Sequence, residues 1–228
     1  MIHASLDTSA GVALAIAKDN AILFNGQLAS SGRDSDRQLL PFVTARLAEC
    51  GLTPRDVTHW TVGIGPGSFA GLRCGIAMLK GFRLVSGAAL RGVPTSCALA
   101  AQAANGRALT VGVLHDGRCN QVLLARIACS GAGELKLLEA PEPLDPAQLL
   151  EDTHQCDCYA TLSATALPAL PEAIATKLIR LEALDAAKLL DASESLYPWP
   201  ADDAATEGST APLYVRQAVF VRPATLRV

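Results

Sequence analysis

Apolar positions in this chain follow two periods, and the order in which they appear is written twice. Residues 2–6 form a short apolar run that ends at Asp7-Thr8-Ser9, residues 12–17 form a second, and 21–28 a third beyond a turn at Asp19-Asn20. Runs of this length between turn residues predict strands. From 39 to 52 the apolar residues fall at 39, 40, 43, 47 and 52, the spacing of one helical face. Residues 54–58 break that helix and 60–64 predict another strand. Gly65-Pro66-Gly67-Ser68 then turns the chain into a helix over 69–86. An extended piece at 91–94 leads to a helix of small residues over 95–104.

The same grammar restarts after Asn105-Gly106. Strands are predicted at 109–114, 121–127 and 134–140, with the first reaching Asp116-Gly117. Helical stretches follow near 146–153, 167–177 and 184–190, with an extended run at 159–162 between them. Each half therefore opens with three strands and places an aspartate at the end of the first, Asp7 and Asp116. This layout predicts an α/β protein with the actin-like ATPase fold (the ASKHA, ribonuclease H-like group), made of two lobes that each open with a three-stranded unit. The expected divisions are a first lobe at 1–105, a smaller second lobe at 106–195, and a linker with a returning C-terminal segment at 196–228. Residues 198–210, polar and rich in Pro, Asp and Ala, read as a loose linker, with order resuming at 212–216.

Composition narrows the functions open to such a fold. Half of the 228 residues are apolar and 18% are charged, so a sizeable core is expected, while only 4% are aromatic. The net charge of −3 supplies no basic footprint for independent nucleic-acid binding. No stretch reads as a leader or a bilayer span, since 69–87, the most apolar, carries Arg73, Lys80 and Arg83; a cytoplasmic protein off the membrane is expected. The seven cysteines include no C-x-x-C and the four histidines no i, i+4 pair, so free thiols and no metal are expected.

Two segments carry candidate chemistry. Asp7-Thr8-Ser9 can hold hydrated magnesium or phosphate at a strand end, or can be an Asx-type turn in a hairpin. Gly65, Gly67 and Ser68 can present N–H groups to an anion at a helix start, or can be a tight turn with Ser68 as an ordinary cap. The helix behind them carries Gly71, Gly75, Ala77 and Gly81, and each interior glycine costs about 1 kcal/mol relative to alanine. That cost is tolerated where another backbone comes close, from the chain's own sheet or from a partner subunit. No acidic residue lies between Asp56 and Asp116, a stretch holding Arg73, Lys80, Arg83, Arg91 and Arg107. Such a basic middle fits phosphate, an acidic partner or solvent.

The motifs L-D-T-S at 6–9, G-x-G-P-G-S-F-x-G-L-R at 63–73 and P-L-Y-V-R at 212–216 resemble the TsaB (YeaZ) family, within the glycoprotease-like (peptidase M22) superfamily. The resemblance implies a non-catalytic scaffold subunit that pairs with TsaD to place threonylcarbamoyl groups on tRNA adenosine. It also implies a TsaE-like ATPase as further partner, tRNA reached through the complex, and a homodimer when alone. The interface would fall on the two first-lobe helices, with Leu39, Val43, Leu72, Arg73, Gly75, Met78 and Leu79 as contacts. No cofactor is expected on the isolated chain, with ATP or ADP and magnesium left open for the complex. The alternative is an ATP-dependent kinase or ATPase of the same fold using Asp7 and Asp116. A metallopeptidase would need metal ligands that the chain lacks. Two departures from the family pattern are visible. Ser35 stands where a histidine is common, and Asp116-Gly117-Arg118-Cys119-Asn120-Gln121-Val122-Leu123 replaces D-A-R-x-G-E-V-Y.

Overall fold

A computed structural model describes residues 1–29, 34–131, 134–192, 194 and 196–214. In the first half, β1 (Ile2–Asp7), β2 (Ala13–Lys18) and β3 (Ala21–Gln27) form an antiparallel meander. β4 (His59–Gly63) and β5 (Ala89–Val93) extend it in parallel from β1, giving the order β3-β2-β1-β4-β5. In the second half, β6 (Leu109–Arg118), β7 (Gln121–Cys129) and β8 (Leu135–Leu144) repeat the meander. β9 (Cys158–Leu162) and β10 (Leu178–Leu181) again add in parallel, giving β10-β9-β6-β7-β8. One connectivity therefore occurs twice. This is the two-lobed, actin-like fold that the repeated pattern predicts.

Strand alternation divides the first sheet into two unlike faces. Ala4, Leu6, Leu14, Ile16, Trp60, Val62 and Leu90 pack against α1 (Asp34–Glu49) and α2 (Phe69–Ser86), meeting Leu39, Val43, Leu47, Ile76 and Leu79. The opposite face carries Ser5, Asp7, Thr61 and Arg91, all buried. The helices that cover the remaining faces are exchanged between the halves. α3 (Thr95–Ala104), which follows the first sheet, packs on β6 to β10 of the second. α5 (Ala187–Leu190), which follows the second sheet, packs on β1, β2 and β4 of the first. Eight of the ten α3 residues are buried, which explains why its sequence is almost all alanine and other small residues.

Several segments differ from expectation. Residues 167–177 hold only a short α4 (Glu172–Ala175), because Pro168 and Pro171 cannot donate to a longer helix. Residues 146–153 form short 3₁₀ turns, and β10 was not legible as a strand. The reading of 198–210 as a loose linker is corrected. It contains α6 (Asp203–Ser209), capped by Asp202 Oδ1, which accepts from the Ala205 N–H at 2.7 Å. Its Thr206 and Thr210 are buried, and its acids pair with α2: Asp203 with Arg83 at 2.6 Å, and Glu207 with Lys80. The polar composition belongs to a helix lying along the charged side of another helix. Among the described residues, no helix is long and apolar enough to cross a membrane.

Candidate functional site

Asp7 ends β1 with 2% of its surface exposed. Its Oδ1 accepts from the Ser9 N–H at 2.8 Å and the Ser9 hydroxyl at 2.6 Å, and its Oδ2 accepts from the Thr95 hydroxyl at 2.5 Å. Thr95 Oγ1 in turn accepts from the Gly65 N–H at 3.0 Å. Burial pushes the Asp7 pKa up, and the bonds from Ser9 and Thr95 partly offset this. The carboxylate therefore ties β1, the Gly65 turn and the start of α3 together, and both of its oxygens already have protein donors. The space beside it, bounded by Gly11, Gln27, Leu162, Glu182 and Leu184, measures about 60 Å³. Small-molecule pockets run to roughly 300–1,000 Å³, so this space as it stands is smaller than a nucleoside needs.

The loop at Gly65, Gly67 and Ser68 is committed in a similar way. Ser68 Oγ accepts from the Gly71 N–H at 3.2 Å as an ordinary cap, while the Ser68 N–H donates to the Ser9 carbonyl at 2.7 Å. A Cβ on Gly67 would stand 2.6 Å from that carbonyl. What the helix glycines approach is the Thr8 turn. A Cβ at Gly71 would lie 2.2 Å from the Thr8 carbonyl, and one at Gly75 2.4 Å from its hydroxyl oxygen. That hydroxyl has no hydrogen-bond partner among the described residues, as expected of a group wedged against a bare backbone. Gly81 differs, for nothing lies within 4 Å of its would-be Cβ.

The basic middle of the chain is largely absorbed within the fold. Lys80 and Arg83 are paired with α6, and Arg107 donates to the Ala103 and Ala104 carbonyls. Arg73 stacks over Phe69, its guanidinium carbon 3.8 Å from the ring centre, and donates to Tyr214 Oη at 2.9 Å. Arg91 is 1% exposed and donates to Thr61 Oγ1, the Tyr197 carbonyl and the Ala192 carbonyl at 3.1, 2.7 and 3.0 Å. Its guanidinium also lies 4.2 Å from the Trp199 ring centre.

The interface candidates divide by orientation. Leu39, Val43, Leu72 and Leu79 are buried in the first lobe's own core, Gly75 is against Thr8, and Met78 is half-buried. The exposed residues of the same helices include Leu40, Ala45 and Ala48 on α1 and Ala70, Ala77, Gly81, Leu84 and Val85 on α2, together with the charged Arg37, Glu49 and Arg73. Leu84 is 83% exposed and Val85 64%. Of the expected interface contacts, Arg73 is the one that is exposed, and most of the others face inward because hydrophobic periodicity marks the core-facing stripe. In the second lobe, Asp116 Oδ1 accepts from the Arg118 N–H at 2.7 Å in an exposed turn. Arg118, Cys119 and Asn120 all have left-handed backbones (φ 57°, 49° and 62°). Among the described residues, no group of three or more His, Cys, Asp or Glu could hold a metal.

Comparison with known proteins follows from this geometry. The profile of the family described as TsaD, tRNA N6-adenosine threonylcarbamoyltransferase, matches residues 29–148, just over half of the chain. The chain belongs to the TsaD family. Within solved structures, this TsaD-family fold resembles YeaZ from Pseudomonas aeruginosa, with a TM-score of 0.63 at 21% identity over 83% of this chain and 89% of that one. It also resembles an uncharacterized protein with similarity to peptidase YEAZ from Pseudomonas aeruginosa. That TM-score is 0.65, at 20% identity over 94% of this chain and 99% of the other. An uncharacterized protein of Mycobacterium tuberculosis (strain H37Rv) is 31% identical over 147 residues, 63% of this chain. The match spans 66% of that relative's length. The first two resemblance motifs fall at the Asp7 turn and the α2 start, in contact with each other. Leu213 of the third donates its N–H to the Ile64 carbonyl at 2.8 Å, while Val215 and Arg216 lie outside the described residues.

Two half-buried histidines give this member of the TsaD family a defined response to acid. His115 Nε2 lies 2.8 Å from Ser96 Oγ, and burial lowers its pKa to about 4. His3 Nε2 lies 2.9 Å from Thr61 Oγ1; burial, then Arg91 and His59, lower its pKa to about 3. Both folded values lie below the unfolded 6.5, so the folded state refuses a proton that the unfolded chain accepts. Their contribution is whole above pH 6.5 and is lost as pH falls from there toward 4. The expected loss between pH 6.5 and 5 is on the order of 1–2 kcal/mol per histidine. Asp7, whose pKa is raised, acts in the opposite sense at the acid end. Urea midpoints measured from pH 8 to 5 would show the decline, and His115→Gln would flatten it; a flat wild-type profile would refute the assignment.

Proposed function

We propose that the chain is a non-catalytic scaffold subunit that pairs with a TsaD-type catalytic subunit in threonylcarbamoyladenosine modification of tRNA. The observation that carries this reading is the outer face of α1 and α2, apolar or small at Leu40, Ala77, Gly81, Leu84 and Val85. Exposed leucine and valine side chains set among small residues, with Arg73 on the same stripe of α2, suit burial against another protein. The internal engagement of Asp7, Gly67 and Ser68 supports the same reading, since those groups hold the lobe together. In this scheme ATP or ADP with magnesium belongs to the assembled complex, which a TsaE-like ATPase joins and through which tRNA is reached. The same outer face would pair two copies when the catalytic subunit is absent.

Light scattering and calorimetry of the purified chain with the TsaD of the same organism test the proposal. A one-to-one complex is expected, weakened at least 50-fold by Leu84→Glu combined with Ala77→Arg. Both positions are exposed, so the variant should keep the circular dichroism of the parent. No complex, or one indifferent to these changes, would remove the scaffold reading or its interface respectively.

A further inference from the structure

Four strands end the two sheets: β3 and β5 in the first, β8 and β10 in the second. α6 packs over β5, and β8 contains Pro141 and Pro143, which cannot donate to an added strand. β3 has no charged side chain. β10 is built differently. The Tyr159 N–H donates to the Lys177 carbonyl at 3.0 Å, and the Ser163 N–H to the Leu181 carbonyl at 2.8 Å. In a parallel pair alternate residues bond to one neighbour, so 177, 179 and 181 face β9. The N–H and C=O groups of Leu178 and Arg180 consequently point to the open edge.

Those same two residues, with Pro168, Ala169, Leu170 and Ala175, line a groove of about 520 Å³. Lys177 and Arg180 are exposed beside it, and neither has an ion-pair partner among the described residues. An open strand edge, an apolar groove on one face and uncompensated cations occur together here. We propose that β10 takes up an extended segment of a partner protein as a sixth strand, one whose apolar residues alternate with acidic ones. Main-chain bonds at Leu178 and Arg180 would set its register, an apolar side chain would fill the groove against Leu170 and Leu178, and a carboxylate would meet Arg180. The groove has no aromatic lining on which a base could stack, which favours peptide over single-stranded RNA.

The test uses the full-length chain, ¹⁵N-labelled, and an acetylated nine-residue peptide alternating aspartate with leucine or valine. Amide shifts are expected to concentrate at Leu178–Leu181 and around residue 170, with slowed exchange at Leu178 and Arg180. Arg180→Glu, at an exposed position, should weaken the peptide at least tenfold without altering the circular dichroism, and Arg180→Gln should weaken it less. A lysine-for-aspartate version of the peptide should bind far more weakly. The proposal is overturned by no shifts at millimolar peptide or by shifts on the outer face of α2 instead. Equal binding of the lysine peptide, or the same shifts from an oligouridylate of matching charge, would also overturn it.

Discussion

Gly63→Ala is expected to lower the stability of the protein by about 3–5 kcal/mol, a fall in Tm of roughly 8–16 °C for a chain of this size. A Cβ at this position would stand 1.8 Å from Asp7 Oδ2 and 3.0 Å from Thr95 Oγ1. Neither neighbour can yield cheaply. Asp7 is fixed by three hydrogen bonds inside the lobe, and moving it separates a buried carboxylate from its donors. Gly81→Ala provides the contrast, since that position is open and alanine is the better helix former; a gain of up to about 1 kcal/mol is expected. Thermal melts of the two variants decide the matter. A loss under 2 °C for Gly63→Ala would mean that Asp7 is not held as described. The double variant with Asp7→Ala should recover part of the loss if the collision is its cause.

Arg91→Leu should have the second large effect, about 3–6 kcal/mol. The substitution leaves the Ala192 and Tyr197 carbonyls without their donor, at roughly 1–3 kcal/mol each, and removes the cation beneath Trp199. Lysine does not replace it, because one ammonium cannot reach acceptors that a planar fork meets from three nitrogens. The local signature would be a red shift of Trp199 emission and faster proteolysis within 192–199. Urea unfolding within 1 kcal/mol of the parent would show that the 192–199 segment is held by something else.

Helices α2 and α3 were legible to the residue because their ends are chemically marked. Ser68 caps one start, and Gly87 and Asn105 close the two ends in left-handed conformations (φ 73° and 47°). The helix glycines were legible as points of close approach, yet nothing local could say that Thr8, more than 60 residues earlier, was what approached. α6 escaped notice because it is only seven residues long and meets the body through Thr206, Thr210 and charged side chains, with no apolar stripe of its own. β10 and α4 are four residues each, too short for a period to register. Arg91 looked like one of several surface cations, since its acceptors sit about a hundred positions downstream. Local pattern therefore located the elements, while long-range pairing decided which polar groups were already spent.

The exchange of α3 and α5 between the sheets governs how this chain can emerge from a ribosome. When the first hundred residues have been made, the sheet they form still has one face bare, with Ser5, Thr61 and Arg91 facing water. Ser5 finds its acceptor, the Ala186 carbonyl, only after the second sheet has been synthesised. α3, meanwhile, is nearly apolar on every side and has no sheet of its own to rest on until β6 to β9 exist. Neither half can mature in sequence. Because α3 and α5 each rest on the other half's sheet, both lobes reach their final packing together, and a topology with so many distant contacts is expected to fold slowly.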